Sequence, residues 1–85
     1  MFKVTVIVKR KPAILDPQGK AAEQGAKLLG FENVKNTRIG KFVEFEIDTD
    51  DKEKAIAEIE AYCDKLLTNP LMEDYEYTLE KVNEN

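Results

Sequence analysis

The chain has 85 residues, 42% hydrophobic and 35% charged, with a formal net charge of −4, one cysteine and no histidine. So short a chain makes one domain, read here as residues 1–85, with a thin core that buries little more than ~60% of its unfolded surface. The missing histidine excludes the commonest general acid–base group, the Ser/His and Cys/His nucleophile systems and ordinary zinc sites, while the acidic balance argues against a nucleic-acid partner.

Residues 2–9 alternate, with Phe2, Val4, Val6 and Val8 on one side and Lys3, Thr5, Ile7 and Lys9 on the other, which predicts a strand with one buried face. The polar residues in that stretch also break any signal-peptide pattern, and no run approaches the ~18 apolar residues of a membrane span. With one cysteine, Cys63, no internal disulfide is possible, so the expected compartment is the cytoplasm, with no membrane contact. After Lys11-Pro12, Asp16-Pro17 predicts a helix start, aspartate as N-cap and proline in the first turn, with the helix running over 17–29 and Gly30 ending it. Its apolar positions Ala21, Ala22, Gly25, Ala26, Leu28 and Leu29 are mostly small, so it can lie close to whatever covers it.

Residues 34–48 read as extended, interrupted by Gly40, either as one bent strand or as two strands meeting near Ile39-Gly40-Lys41. A second helix follows, capped by Thr49 or Asp50, with Ala55, Ile56, Ile59, Tyr62, Cys63, Leu66 and Leu67 at helical spacing until Asn69-Pro70 stops it. Tyr75, Tyr77 and Leu79 give a last strand before the polar tail Asn83-Glu84-Asn85. The order suggests an α+β, ferredoxin-like β-α-β-β-α-β sandwich, an antiparallel sheet with two helices on one face. Phe42, projecting opposite to Val43 and Phe45, leaves the other face partly apolar, as a sheet-mediated dimer would require.

Most chemistry-bearing residues have a structural reading. The Asp48, Asp50 and Asp51 cluster is explained by helix capping, so no metal is assigned to it, and Cys63 lies on an apolar stripe with nothing to activate it. Two segments are less easily absorbed. In Asp16-Pro17-Gln18-Gly19, a glycine in a first helical turn costs stability unless something approaches the backbone; in Arg38-Ile39-Gly40-Lys41, two cations flank a glycine. Asp16, Gln18, Gly19, Arg38, Gly40 and Lys41 are therefore the candidate partner interface, with Arg38 and Lys41 expected to be free for recognition and no residue assigned a catalytic role.

These segments, together with Ile14-Leu15, Leu29-Gly30-Phe31, Cys63-Asp64-Lys65-Leu66-Leu67, Asn69-Pro70 and Glu73-Asp74-Tyr75, resemble the PurS family, the small subunit of phosphoribosylformylglycinamidine synthase. The likeness spans nearly the whole chain in order, departing at Gly25-Ala26, where Ala-Leu is common, and at Met72, where Ile or Val is usual. It implies an accessory role in the fourth step of de novo purine synthesis: a dimer bridging a large synthetase subunit, which uses ATP and Mg²⁺, and a glutaminase subunit that releases ammonia. No cofactor is expected in this chain itself, and no activity from it alone. The alternative is a regulatory dimer of the ACT type, with Gln18-Gly19 holding a small molecule at a helix N-terminus; an RNA-binding domain of similar fold is disfavoured by the charge.

Overall fold

Alternation in the first ten residues builds the central element. A computed structural model describes residues 1–82, leaving the tail 83–85 outside the described residues; in it β1 (Phe2–Arg10) buries Phe2, Val4, Val6 and Val8 and exposes Lys3, Ile7 and Lys9. β1 pairs antiparallel on one side with β2 (Lys41–Ile47) and on the other with β3 (Glu73–Lys81), giving the order β2-β1-β3. Val6 stands opposite Val43 and Tyr77, so the apolar positions of all three strands fall on one face.

Helix α2 (Lys52–Tyr62) covers that face, with Ala55, Ile59 and Cys63 fully buried, the last two against Val4, Val6 and Val8. Its N-cap is Asp51, whose carboxylate accepts from the Glu53 and Lys54 amides, rather than the expected Thr49 or Asp50. Thr49 instead accepts from the Asp51 amide through Oγ1, and Asp50 pairs with the Met1 ammonium at 3.1 Å. α2 ends in a π turn, Cys63–Leu67, closed by the amide and hydroxyl of Thr68, both donating to the Cys63 carbonyl at 3.0 and 2.9 Å. The wider turn puts Leu67 against the core and leaves Leu66 exposed, although both fit the helical period.

Two expectations change. The ferredoxin-like order calls for four strands, and the described residues contain three, because residues 34–40 form no strand. Their backbone amides are satisfied elsewhere: Thr37 donates to the Glu23 carboxylate at 2.9 Å and Ile39 to that of Asp16 at 2.7 Å, leaving fewer groups for a ladder. Gly40 is neither bulge nor turn; a Cβ there would overlap the Val8 carbonyl oxygen, so it permits the close approach at which β2 begins. Helix α1 (Pro17–Leu28), the second helix expected on the sheet, buries only Gly19 and projects beyond the sheet, which gives the chain principal extents of 51 × 31 × 15 Å. The sheet face away from α2 is mostly charged, with Lys3–Glu44 and Lys9–Glu76 pairs, and its apolar part narrows to the cross-strand neighbours Ile7 and Phe42.

Candidate partner interface

Asp16 anchors the region. As N-cap of α1 its carboxylate accepts from the Gly19 amide at 2.9 Å through Oδ1 and from the Ile39 amide at 2.7 Å through Oδ2, although the residue is buried. Those two amides, from Gly19 and Ile39, hold its carboxyl below the usual carboxylate range against the opposing effect of burial, and Arg38 and Arg10 add to them. Gly19, three residues on, has no side chain because the Thr37 carbonyl oxygen occupies the place of a Cβ. Glu23 lies a further turn along the same helix face and holds Thr37. The i, i+3, i+7 spacing of Asp16, Gly19 and Glu23 was the available signal for this contact, and the sequence reading missed Glu23 and Thr37. Asn36 adopts φ 56°, a left-handed conformation that asparagine tolerates better than most residues, and so turns the segment towards α1.

At its far end α1 closes in a Schellman motif, with Gly30 at φ 92°, its amide on the Lys27 carbonyl and the Phe31 amide on that of Ala26. Residues 11–40 thus form a hydrogen-bonded arm between β1 and β2. The arm root and the sheet enclose an open cleft of about 820 Å³, lined by Lys9, Arg10, Lys20, Arg38 and Lys41, by Asp16 and Glu23, and by the apolar Ile7, Leu15, Ile39 and Phe42. Residues 1–41 carry nine of the 13 Lys and Arg and three of the 17 Asp and Glu, so the basic cleft belongs to a basic half of an acidic chain.

Of the six candidate interface residues, five cluster at this cleft or in its walls, and Gln18 is exposed on the first turn of α1. Arg38 and Lys41 are less free than expected. Arg38 donates through one guanidinium nitrogen to the Lys11 and Ile14 carbonyls at 2.9 and 2.8 Å, strapping the β1–α1 loop, and Lys41 reaches the Leu67 carbonyl at 3.1 Å and the Glu73 carboxylate at 3.8 Å.

Groups with reactive chemistry are pushed towards their neutral forms. Burial raises the Cys63 thiol, with Asp64 and Glu60 adding to it, which lowers its thiolate fraction. Burial and then the Asp64 carboxylate push Tyr75 up to about 12, and burial with the hydrogen bond from Tyr77 to Glu60 Oε1, at 3.1 Å, raises Tyr77. A phenol raised by folding stabilises the fold fully below the unfolded value near 10, and that contribution disappears as pH climbs through the folded value. The melting temperature is therefore expected to fall between pH 10 and 12, with a shallower decline in Tyr75→Phe; equal slopes for the two proteins would contradict the raised Tyr75.

A thin sheet-and-helix body, a preformed arm left uncovered and a basic apolar cleft define an accessory docking chain, built to be one component of an assembly. The profile of the PurS family, described as phosphoribosylformylglycinamidine (FGAM) synthase, matches residues 3–81. The phosphoribosylformylglycinamidine synthase subunit PurS of Methanocaldococcus jannaschii is 39% identical over 82 residues, covering 96% of this chain and 99% of that protein. The crystal structure of Bacillus subtilis PurS superposes with a TM-score of 0.86 at 37% identity, over 95% of this chain and 100% of that one. PurS in the structure of PurLQS from Thermotoga maritima gives 0.81 at 32% identity, over 93% and 96%. The chain belongs to the PurS family of FGAM synthase subunits, and the ACT-like and RNA-binding alternatives are set aside.

Proposed function

We propose that this chain serves as the small accessory subunit of phosphoribosylformylglycinamidine synthase in purine biosynthesis, self-associating and bridging the synthetase and glutaminase subunits. Family membership across residues 3–81 carries this reading. The region around Asp16, Gln18, Gly19, Arg38, Gly40 and Lys41 is the surface we assign to partners. Its basic, partly apolar cleft suits an acidic partner surface, and its preformed backbone lowers the ordering cost of docking. The raised Cys63, Tyr75 and Tyr77 support a role in positioning, with ATP and Mg²⁺ used by the large subunit and none held by this chain. Sheltering ammonia in transit between the two active sites belongs to the same proposal. So does a cytoplasmic location, which is compatible with the lack, among the described residues, of a helix long and apolar enough to cross a membrane.

Reconstitution tests it. Omitting this chain from a mixture of the synthetase and glutaminase subunits should abolish glutamine-dependent amidation and spare amidation driven by added ammonium salt. Full glutamine-dependent turnover without the chain would overturn the bridging role.

A further inference from the structure

At the root of the arm the charged side chains are satisfied by the backbone rather than by each other. Asp16 gives its two carboxylate oxygens to the Gly19 and Ile39 amides and Glu23 holds the Thr37 amide, so neither acid lining the cleft forms an ion pair among the described residues. Of the cations lining it, Lys9 and Lys41 face Glu76 and Glu73 at 3.5 and 3.8 Å. Arg10, Lys20 and Arg38 face no carboxylate at ion-pair distance among the described residues and keep their charge uncompensated. The two arginines are also oriented. Arg38 donates to the Lys11 and Ile14 carbonyls at 2.9 and 2.8 Å through Nη2 alone, and Arg10 to the Leu15 carbonyl at 3.4 Å through Nη1 alone, so both are tied to the loop 11–15 by one nitrogen with the rest of each fork unbonded. Neutral carbonyls hold the guanidinium groups without cancelling their charge, and both groups act on the Asp16 carboxyl, so their fields converge there. Beside them the exposed Ile7, Leu15, Ile39 and Phe42 give the cleft an apolar wall with one aromatic face.

We propose that this cleft binds a nucleoside monophosphate, with the phosphate on Arg10, Lys20 and Arg38 and the base against Phe42 and Ile7, in competition with the acidic partner surface assigned to the same cleft. The competition rests on that partner assignment; the binding itself does not. A phosphate monoester fits better than a carboxylate because it carries close to two negative charges and three strong acceptor oxygens, which suit three uncompensated cations and two open guanidinium forks. The apolar wall asks for more than an inorganic anion, and a nucleobase supplies a flat face that stacks on an exposed aromatic ring. A volume of about 820 Å³ lies within the ~300–1,000 Å³ of small-molecule sites, which combine an apolar lining with a few placed polar groups in the same way.

Calorimetric titration of the full chain with AMP, ribose 5-phosphate and adenosine, at low and moderate salt, tests the binding. AMP should bind saturably and more weakly as salt rises, ribose 5-phosphate should bind several-fold less tightly for want of a base, and adenosine should not bind. Lys20→Gln and Arg10→Gln should each weaken AMP about tenfold or more, and Phe42→Ala should bring AMP down to the level of ribose 5-phosphate. Should Arg10→Gln disturb the loop it ties, Lys20→Gln decides, because the Lys20 ammonium holds no other group among the described residues. No saturable AMP binding, or wild-type affinity in Lys20→Gln, would overturn the site, and adenosine binding as tightly as AMP would overturn the phosphate assignment. In the reconstituted synthase AMP should raise severalfold the concentration of this chain needed for half-maximal glutamine-dependent turnover and spare turnover driven by ammonium salt. Equal inhibition of both would place its effect on the synthetase subunit and overturn the competition. Full glutamine-dependent turnover without this chain would instead remove the bridging role and leave AMP binding to the free chain standing, so the two failures are separable.

Discussion

Gly19→Val is expected to open the arm and leave the sheet standing. The new Cβ would occupy the position of the Thr37 carbonyl oxygen, a backbone atom that cannot rotate away, so residues 36–39 must separate from α1. Separation releases the Thr37 and Ile39 amides from the Glu23 and Asp16 carboxylates. Overpacking costs about 1–3 kcal/mol and each lost charge-assisted hydrogen bond about 1.5–3, so closure of the arm should weaken by 3 kcal/mol or more. Little of that reaches the body, because the fully buried Val4, Val6, Val8, Ile59 and Cys63 form one cluster, packed with Val43, Phe45, Ile47, Leu67, Tyr75, Tyr77 and Leu79, that includes no residue of 36–39. Hydrogen exchange at the Thr37 and Ile39 amides should accelerate at least hundredfold, with protection of β1 amides nearly unchanged and assembly into the synthase lost. The neighbouring Gln18→Ala, on an exposed side chain, should leave all three as in wild type. Wild-type exchange at Ile39 in Gly19→Val would show that the glycine accommodates a side chain after all.

That contrast shows what could be read from residue order and what could not. β1, α1, α2 and β3 announce themselves locally, by the alternation of Phe2, Val4, Val6 and Val8, by Asp16-Pro17 and Gly30 at the ends of α1, and by Asn69-Pro70 after α2. The glycine in the first turn of α1 correctly signalled a close backbone approach, but the identity of the approaching group, Thr37, depends on how two segments 18 residues apart meet. Residues 34–40 have the composition of a strand and fail to become one because carboxylates of α1 capture their amides, a choice of partner that propensity cannot express. Arg38 reads as free for recognition because it flanks the Gly40 interruption, outside the apolar pattern; its partners are main-chain carbonyls, which every segment carries and none advertises. The place of α1 was hidden for a different reason. A small-residue helix face predicts close packing, and in the single chain Ala21, Ala22, Leu28 and Leu29 of that face are exposed.

Ile59→Ala should nearly exhaust the stability of the free chain and be rescued by assembly. Ile59 is the largest fully buried side chain in a core of only a few such residues, enclosed by Val4, Val6, Val8 and Cys63. Truncating a buried isoleucine to alanine costs 2–5 kcal/mol. A domain of this length has about 4–13 kcal/mol to lose. A loss of about 3 kcal/mol lowers the melting temperature of so small a domain by roughly 12–24 °C. Partners that bind only the folded chain oppose this by mass action, contributing about 2.7 kcal/mol when present at a hundredfold excess over Kd. Thermal melts of Ile59→Ala should therefore rise steeply with added synthase subunits and approach wild type. Leu66→Ala provides the comparison: the helical period places Leu66 on the same stripe, but the π turn leaves it 71% exposed, so its truncation should change the free chain by less than about 0.5 kcal/mol. Equal losses for the two variants would mean that α2 continues to Leu67 without the π turn and that Leu66, rather than Leu67, packs on the sheet.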